Sequence, residues 1–208
     1  MLRLAQKKYE DSDFAKVEGN KFRVIDSEVE PSFDLEAHLV EMGGPAKAVV
    51  GCVANNECLP FKDGTFDCYI SSMSLMLVDN YRNQLAEALR VTQPGVKLGF
   101  TVWGRRENIR HFEVLDVVLH KHGLTPKEPP KKTPYDLGRD PEALKAEMET
   151  MGFKGIHMWY QAMNFSFRNS DDYICSIWDW IRMVRFAGQP LSSEVEEALK
   201  RDLAEEYK

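Results

Sequence analysis

The stretch Asn55–Ser72, NNECLPFKDGTFDCYISS, decides how this sequence is expected to fold. It opens with polar residues, passes through a Leu-Pro-Phe step and an Asp-Gly turn, and ends in an apolar run that extends from Cys68 to Leu77. Asp-Gly is a turn signal, and a continuous apolar run is typical of a strand covered on both faces. AVVGCV, at 48–53, is a second such run and precedes the stretch. The pattern therefore predicts a polar loop between two buried strands.

Strands and helices alternate on both sides of this loop. The predicted strands are KFRVID at Lys21–Asp26, Ala48–Val53, Cys68–Leu77, whose later part could belong to the next loop, VKLGFTVW at 96–103, and one long or two short strands at Gly155–Phe167. The predicted helices are 1–10, Pro31–Met42, Asn83–Val91, Asn108–His122, Asp140–Met151, Ser170–Phe186 and Ser192–Lys208. Alternation of this kind predicts an open, mostly parallel α/β sheet, in which ligands bind beyond the carboxyl ends of the strands.

A proline-rich segment interrupts the second half of the chain. TPKEPPKKTPYDLG, at 125–138, contains four of the ten prolines. Proline lacks the backbone donor that helices and sheets need, so we expect an exposed, irregular connection here.

Composition excludes several classes of protein. The 208 residues carry a formal net charge of -6, which argues against a broad attraction to nucleic acid or to anionic membranes. The four cysteines show no Cys-x-x-Cys spacing, so we expect reduced thiols and no metal site. The N-terminal sequence MLRLAQKKYED becomes charged within a few residues, unlike a signal peptide. We expect a cytoplasmic protein.

Three segments together resemble the class I S-adenosylmethionine-dependent methyltransferases of the broad small-molecule type. They are ANNECLPFKDGTFDCYISS at 54–72, LAEALRVTQPGVKLGFTVWG at 85–104 and DPEALKAEMETMGFKGIHMW at 140–159. The resemblance implies a three-layer, Rossmann-like fold, S-adenosylmethionine as cofactor, and methyl transfer to O, N or S of a small molecule. The alternatives are a non-catalytic methyltransferase-like module that binds or regulates a partner, and a truncated form of an active enzyme. We expect a single domain over 1–208, with a divergent part at 1–47, a recognisable core at 48–167 and C-terminal helices at 168–208.

The resemblance also assigns cofactor contacts. In chain order they are Asn55, Asn56, Glu57, Leu59, Phe61, Ser72 and Met73. Asn55 stands where the family usually has an aspartate that accepts from the adenine amino group, and an amide oxygen can also accept. The backbone amides of the next two residues would meet a ring nitrogen, and Leu59 would cover the base. Ser72 and Met73 would lie beside the methionine end and the transferred methyl.

The resemblance places the acceptor side at Trp103, the last residue of the predicted strand 96–103, and at His111 in the helix that follows. Methyl transfer from a sulfonium depends mainly on positioning, and a general base is needed only for a protonated nucleophile. His111 is the candidate for that base. The alternative for a lone helical histidine is a partly exposed and inert side chain.

Two family features depart from the expected pattern. No Gly-rich turn precedes the loop at Asn55, and the acid that binds the ribose can be placed in two ways. In the first alignment the helix 1–10 follows that acid and 11–47 is an insertion. In the second, Lys21–Asp26 is the family's second strand and Asp26 is the acid. We favour the first alignment because Met-Leu-x-Leu-Ala is the more common family pattern.

In both alignments the family's first strand is missing. We therefore expect an N-terminal truncation, or a homo-oligomer or partner chain that completes the sheet.

Overall fold

The computed structural model of the chain describes residues 7, 10–13, 15–19, 21–26, 34–44, 48–124, 132–164, 166–186 and 191–207. Its strands are β1 (Lys21–Asp26), β2 (Ala48–Val53), β3 (Phe66–Ser72) and β4 (Thr92–Thr101). Its α-helices are α1 (Leu35–Glu41), α2 (Tyr81–Val91), α3 (Arg110–Lys121), α4 (Asp136–Arg139), α5 (Pro141–Thr150), α6 (Ser170–Phe186) and α7 (Ser193–Glu206). A 3₁₀ turn, Arg106–Asn108, precedes α3. The predicted helix 1–10 lies almost entirely outside the described residues.

The strands form two parallel pairs. β1 pairs with β2 in continuous register from Lys21 opposite Ala48 to Asp26 opposite Val53. β3 pairs with β4, with Ser72 opposite Thr101 at the carboxyl end. Parallel strands need a crossover connection, and α2 supplies it between β3 and β4. The α/β class with parallel strands is confirmed.

The strands are less covered than the continuous apolar runs predict. Val49, Val53 and Ile70 are all exposed, and Ile70 keeps 76% of its surface accessible. Each sheet has two strands among the described residues, so one helix cannot cover both faces of β3. The expectation of strands buried on both faces is wrong for these residues.

Polar caps explain where the helices begin. Asp34 accepts from the backbone of Glu36 and Ala37, so α1 starts at Leu35 rather than Pro31. Asp140 accepts from the backbone N of Ala143 at the start of α5, as its sequence position predicts. Ser192 caps α7 in the same way, with its hydroxyl accepting from Val195 N.

Two predicted segments differ from the structure. The proline-rich segment ends in a helical turn, α4, which begins where the Asp136 carboxylate accepts from the Thr133 hydroxyl and backbone N. The described residues of 155–167 form no strand, because their backbone has no strand partner there. Both predictions are therefore wrong in these places.

The described residues divide into two compact units. The first unit is Met1–Val102 with Glu147–Lys154, and the second is Trp103–Ala146 with Gly155–Lys208. The core of the second unit lies between α3, α6 and α7, where the buried residues are Leu115, Val118, Leu119, Ile174, Trp178, Ile181, Leu199 and Leu203. The single-domain assignment stays a prediction. Among the described residues, no helix is long and apolar enough to span a membrane.

Candidate functional site

The loop after β2 is closed by Asn55. The Asn55 side-chain oxygen accepts from the backbone N of Glu57 at 2.9 Å, and its backbone oxygen accepts from Cys58 N at 2.9 Å. This is the local turn bonding that asparagine often makes. The oxygen that the resemblance assigns to adenine is thus engaged within the loop, with one lone pair left for a ligand.

Glu57 ties the loop to the start of α2. Its carboxylate accepts from the backbone N of Asn80 at 3.0 Å and from the side-chain amide of Asn83 at 3.1 Å. The resemblance uses only the backbone amide of Glu57, so the structural role of its side chain does not conflict with it.

The rest of the loop is held by an ion pair on α2 that the sequence reasoning missed. Glu87 accepts from the backbone N of Leu59 at 2.6 Å and from the Arg90 guanidinium at 2.7 Å. Arg90 also donates to the backbone oxygens of Leu59 and Phe61, at 3.0 and 2.7 Å. The hydrogen bonds from Arg90 lower the pKa of Glu87. The only sequence signal was the Glu-x-x-Arg spacing within a helix.

A polar cleft of about 200 Å³ opens at the carboxyl end of β3. Its lining residues are Asn56, Tyr69, Ile70, Ser71, Ser72, Ser74 and Gln84. The Asn56 side chain donates to the Ser74 hydroxyl at 2.8 Å. The structure therefore brings together two of the predicted cofactor residues, Asn56 and Ser72, at the sheet end where ligands are expected.

Gln84 is the buried polar group of this cleft. Only 1% of it is exposed, and its side-chain N donates to the Ser71 hydroxyl at 3.0 Å. Longer contacts of 3.4 Å reach the hydroxyls of Tyr69 and Ser74. Its side-chain oxygen has no hydrogen-bond partner among the described residues. A buried acceptor without a partner is costly, so this oxygen favours a ligand or water that donates to it.

Met73, the residue directly after β3, has an unusual backbone conformation. Its φ of 54° lies in the left-handed region, which side chains other than glycine rarely adopt. Its backbone N donates to the backbone oxygen of Thr101 at 2.9 Å and to the Thr101 hydroxyl at 3.0 Å. These two hydrogen bonds hold Met73 at the end of β3, the strand that lines the cleft.

The remaining predicted residues stay predictions. Trp103 belongs to the second unit, where its backbone oxygen lies where a Cβ on Gly138 would point. His111 lies in α3 and Asp26 in β1, but both side chains are outside the described part of the structure. Among the described residues, no group of three or more His, Cys, Asp or Glu side chains is placed to hold a metal.

Comparison with known proteins finds a family match in the first half of the chain. Residues 19–100 match the sequence profile of a family described as "Methyltransferase domain". The matched span includes the loop at Asn55, the cleft and most of β4. This match agrees with the resemblance to the class I S-adenosylmethionine-dependent methyltransferases. The third segment of the resemblance, at 140–159, lies beyond the matched part of this methyltransferase domain.

The domain has curated relatives in two Francisella species. "Ubiquinone/menaquinone biosynthesis C-methyltransferase UbiE" of Francisella tularensis subsp. novicida is 35% identical over 92 residues, which are 41% of this chain and 34% of that protein. The protein of the same name from Francisella philomiragia is 34% identical over 92 residues, with the same two coverages. The chain thus covers about a third of the length of these relatives.

Solved structures that resemble the chain do so loosely. The MccD protein gives a TM-score of 0.41 at 12% identity, over 95% of this chain and 88% of that one. A possible histamine N-methyltransferase from Thermotoga maritima gives 0.36 at 16% identity, over 72% and 77%. TM-scores below 0.5 carry no further conclusion.

The matched span bears on the two alignments of the N-terminal part. It begins at residue 19, so it includes β1 and leaves out the predicted helix 1–10. β1 also pairs directly with β2, as neighbouring family strands should. Both observations favour the second alignment, in which Lys21–Asp26 is the family's second strand, over the first. Asp26 as the ribose acid stays a prediction.

Proposed function

We propose that the methyltransferase domain binds S-adenosylmethionine in the loop Asn55–Leu59 and the cleft at the end of β3, and transfers its methyl group to a small molecule. The observation that supports this most directly is the cleft itself. It lies inside the family-matched span, at the carboxyl end of a parallel strand, and its lining includes Gln84, whose buried side-chain oxygen has no hydrogen-bond partner among the described residues.

The donors and acceptors of the cleft suit the methionine end of this cofactor. Serine hydroxyls can donate and accept, and the amides of Asn56 and Gln84 add both functions, so a zwitterionic amino acid group finds partners without a charged residue. The oxygen of Gln84 suits the ammonium group. Asn55 fits less well, because its side-chain oxygen already accepts from Glu57 N.

The chain's own residues would act by binding and orientation. The cofactor supplies an activated methyl on a positively charged sulfur, so the protein needs to hold donor and acceptor in line. Ser72 and Met73 would position the methionine end, and Leu59 would cover the base. Glu87 and Arg90 would keep the loop in the required shape.

The acceptor is a small molecule in this proposal, at O, N or S. The curated relatives are named C-methyltransferases, so we include a carbon atom as a fourth possible acceptor. We also propose a cytoplasmic location.

Calorimetric titration of the full chain with S-adenosylhomocysteine, the demethylated product, tests cofactor binding. We expect a single saturable site. Ser74→Ala removes a hydroxyl that contacts Asn56 and Gln84, and should weaken binding by about fivefold, as expected for one hydrogen bond of roughly 1 kcal/mol. Asn164→Ala, an exposed change in the second unit, should bind like the wild type. If millimolar ligand gives neither heat nor thermal stabilisation, the cofactor proposal is lost.

A second candidate function is a non-catalytic module that binds a partner chain. The engaged oxygen of Asn55 favours it, because the loop is complete without an adenine contact. Size-exclusion chromatography with light scattering distinguishes the two. Binding of S-adenosylhomocysteine at any measured mass supports the enzyme, whereas an oligomer that ignores the ligand supports the module.

A further inference from the structure

The second unit holds an ion cluster that the methyltransferase proposal does not use. The Asp116 carboxylate, on α3, accepts from the guanidinium of Arg185 at 2.5 Å and from that of Arg106. Arg185 lies near the end of α6, and Arg106 begins the 3₁₀ turn after β4. Tyr135, just before α4, lies close enough to both guanidiniums to interact with their charge.

Among the described residues, the cluster has more positive than negative charge. Two guanidiniums share Asp116, which among the described residues is the one carboxylate within ion-pair distance of either. Burial raises the pKa of Tyr135 to about 12, so its phenol is neutral at pH 7 and cannot supply the second negative charge. Among the described residues, the local balance is therefore two positive charges against one negative charge.

Solvent compensates this excess only in part. The Arg185 side chain is 21% exposed, and its buried Nε has no hydrogen-bond partner among the described residues. Burial, and repulsion from Arg106, lower the pKa of Arg185, so the surroundings disfavour its charged form. A buried charge without full compensation is costly, so a further anion would stabilise the cluster.

Two backbone segments beside the cluster, at Trp103 and at Gly138, are packed against each other. A Cβ added to Gly138 would lie 2.0 Å from the Trp103 backbone oxygen, so these segments are in direct contact. The Tyr160 hydroxyl donates to the Gly138 oxygen at 2.8 Å, and the Arg105 guanidinium lies 5.1 Å from the centre of the Tyr160 ring. Binding groups are effective when their supports are fixed in this way.

We propose that Arg106 and Arg185, bridged by Asp116, form a binding site for the carboxylate of a small organic ligand. The Arg106 side chain is 50% exposed, so a ligand can approach it from solvent. A carboxylate matches the planar fork of a guanidinium and carries the single negative charge that the cluster lacks. A phosphate group would carry more charge than the site needs. The site lies within the second unit and does not depend on cofactor binding.

Arginine footprinting of the unaltered full chain tests the site directly. Phenylglyoxal modifies accessible guanidiniums, and mass spectrometry of peptides reports each arginine separately. Sodium benzoate should slow the modification of Arg106 by about tenfold. This ratio corresponds to stabilisation of the benzoate-bound chain over the free chain by roughly 1.4 kcal/mol. Arg201, whose side chain is 74% exposed, should be modified at the same rate with and without benzoate. Benzamide, the neutral analogue, should protect neither residue.

A matched pair of variants separates the site from general charge effects. Arg106→Gln should weaken benzoate binding by about tenfold or more, because a charge-assisted hydrogen bond is lost. Arg201→Gln removes the same charge from an exposed residue of α7, outside the cluster, and should leave binding unchanged. Calorimetry of both variants at equal ionic strength gives the comparison.

Three results would overturn the proposal. They are equal protection of Arg106 and Arg201, unchanged benzoate binding in Arg106→Gln, and stronger protection of Arg106 by inorganic phosphate than by benzoate. The last result would replace the carboxylate with a phosphate-bearing ligand.

Discussion

Glu87 connects a single ionisable group to the loop that we assign to the cofactor. Hydrogen bonds from Arg90, the largest cause, lower its folded pKa below the ordinary value of 4.5. A carboxyl whose folded pKa is depressed contributes stability above its unfolded pKa, and that contribution is lost as the pH falls through the folded pKa. We therefore expect the wild type to lose this part of its stability on acidification below about pH 4.5.

Glu87→Gln should show a shallower acid limb than the wild type when urea unfolding is measured from pH 7 down to pH 3. Glu149→Gln changes an exposed carboxyl on α5 and serves as the control, with an acid limb close to that of the wild type. Superimposable pH profiles for Glu87→Gln and the wild type would show that the pair with Arg90 contributes nothing to acid stability.

The same residues show what sequence reasoning could and could not find at the site. Asn56 and Ser72 were predicted from the family resemblance, which assigns cofactor contacts to the loop after β2 and to the end of β3. Gln84, Glu87 and Arg90 were missed because their contacts join residues 13 to 31 positions apart. A helix pattern gives the face that a side chain occupies, but not the loop that reaches it.

At the scale of elements, the close contact between Gly138 of α4 and the backbone of Trp103 makes a sharp prediction. A Cβ at Gly138 would meet the Trp103 backbone oxygen at 2.0 Å, and a backbone atom cannot rotate away as a side chain can. Gly138→Ala should therefore destabilise the protein by about 1–3 kcal/mol, the usual cost of overpacking. Thermal or urea unfolding provides the measurement.

Gly99→Ala is the matched control for that substitution. Its added Cβ would lie an ordinary 4.0 Å from Ile70 Cγ1, and its backbone is not left-handed. We expect a change within about 0.5 kcal/mol. If the two variants unfold alike, the contact between Gly138 and Trp103 is absent in solution.

The elements also show the limits of pattern alone. β1 and β2 match their predicted bounds to the residue, although only β2 is a continuous apolar run. The segment 155–167 has strand-like composition, yet strand formation depends on a partner that composition does not supply. α4 was missed because prolines dominate the preceding sequence, although Asp136 marks its start.

At the scale of the whole molecule, the two sheets of two strands among the described residues leave apolar surface exposed. Two-stranded sheets are marginal in water without further packing, and Ile70 is 76% exposed on β3. We expect the chain to associate, either with itself or with a partner that covers this surface. Light scattering of the purified chain should then give a mass above 23.9 kDa that rises with concentration.

Ile70→Lys should lower that mass, because it places a charge on the exposed strand face. Val117→Lys makes the same change on α3, where Val117 is 59% exposed, and should leave the mass unaltered. A mass of one chain at every concentration, with unchanged stability in both variants, would contradict this expectation.

The left-handed backbone at Met73 has a consequence for how this position tolerates mutation. Glycine and asparagine suit that conformation better than methionine does, and β-branched residues suit it worst. In a saturation library sorted only for folded protein, we expect glycine and asparagine to be enriched at position 73 and valine and isoleucine to be depleted. Sorting the same library for S-adenosylhomocysteine binding should restore methionine, because that selection rewards the side chain and not only the fold.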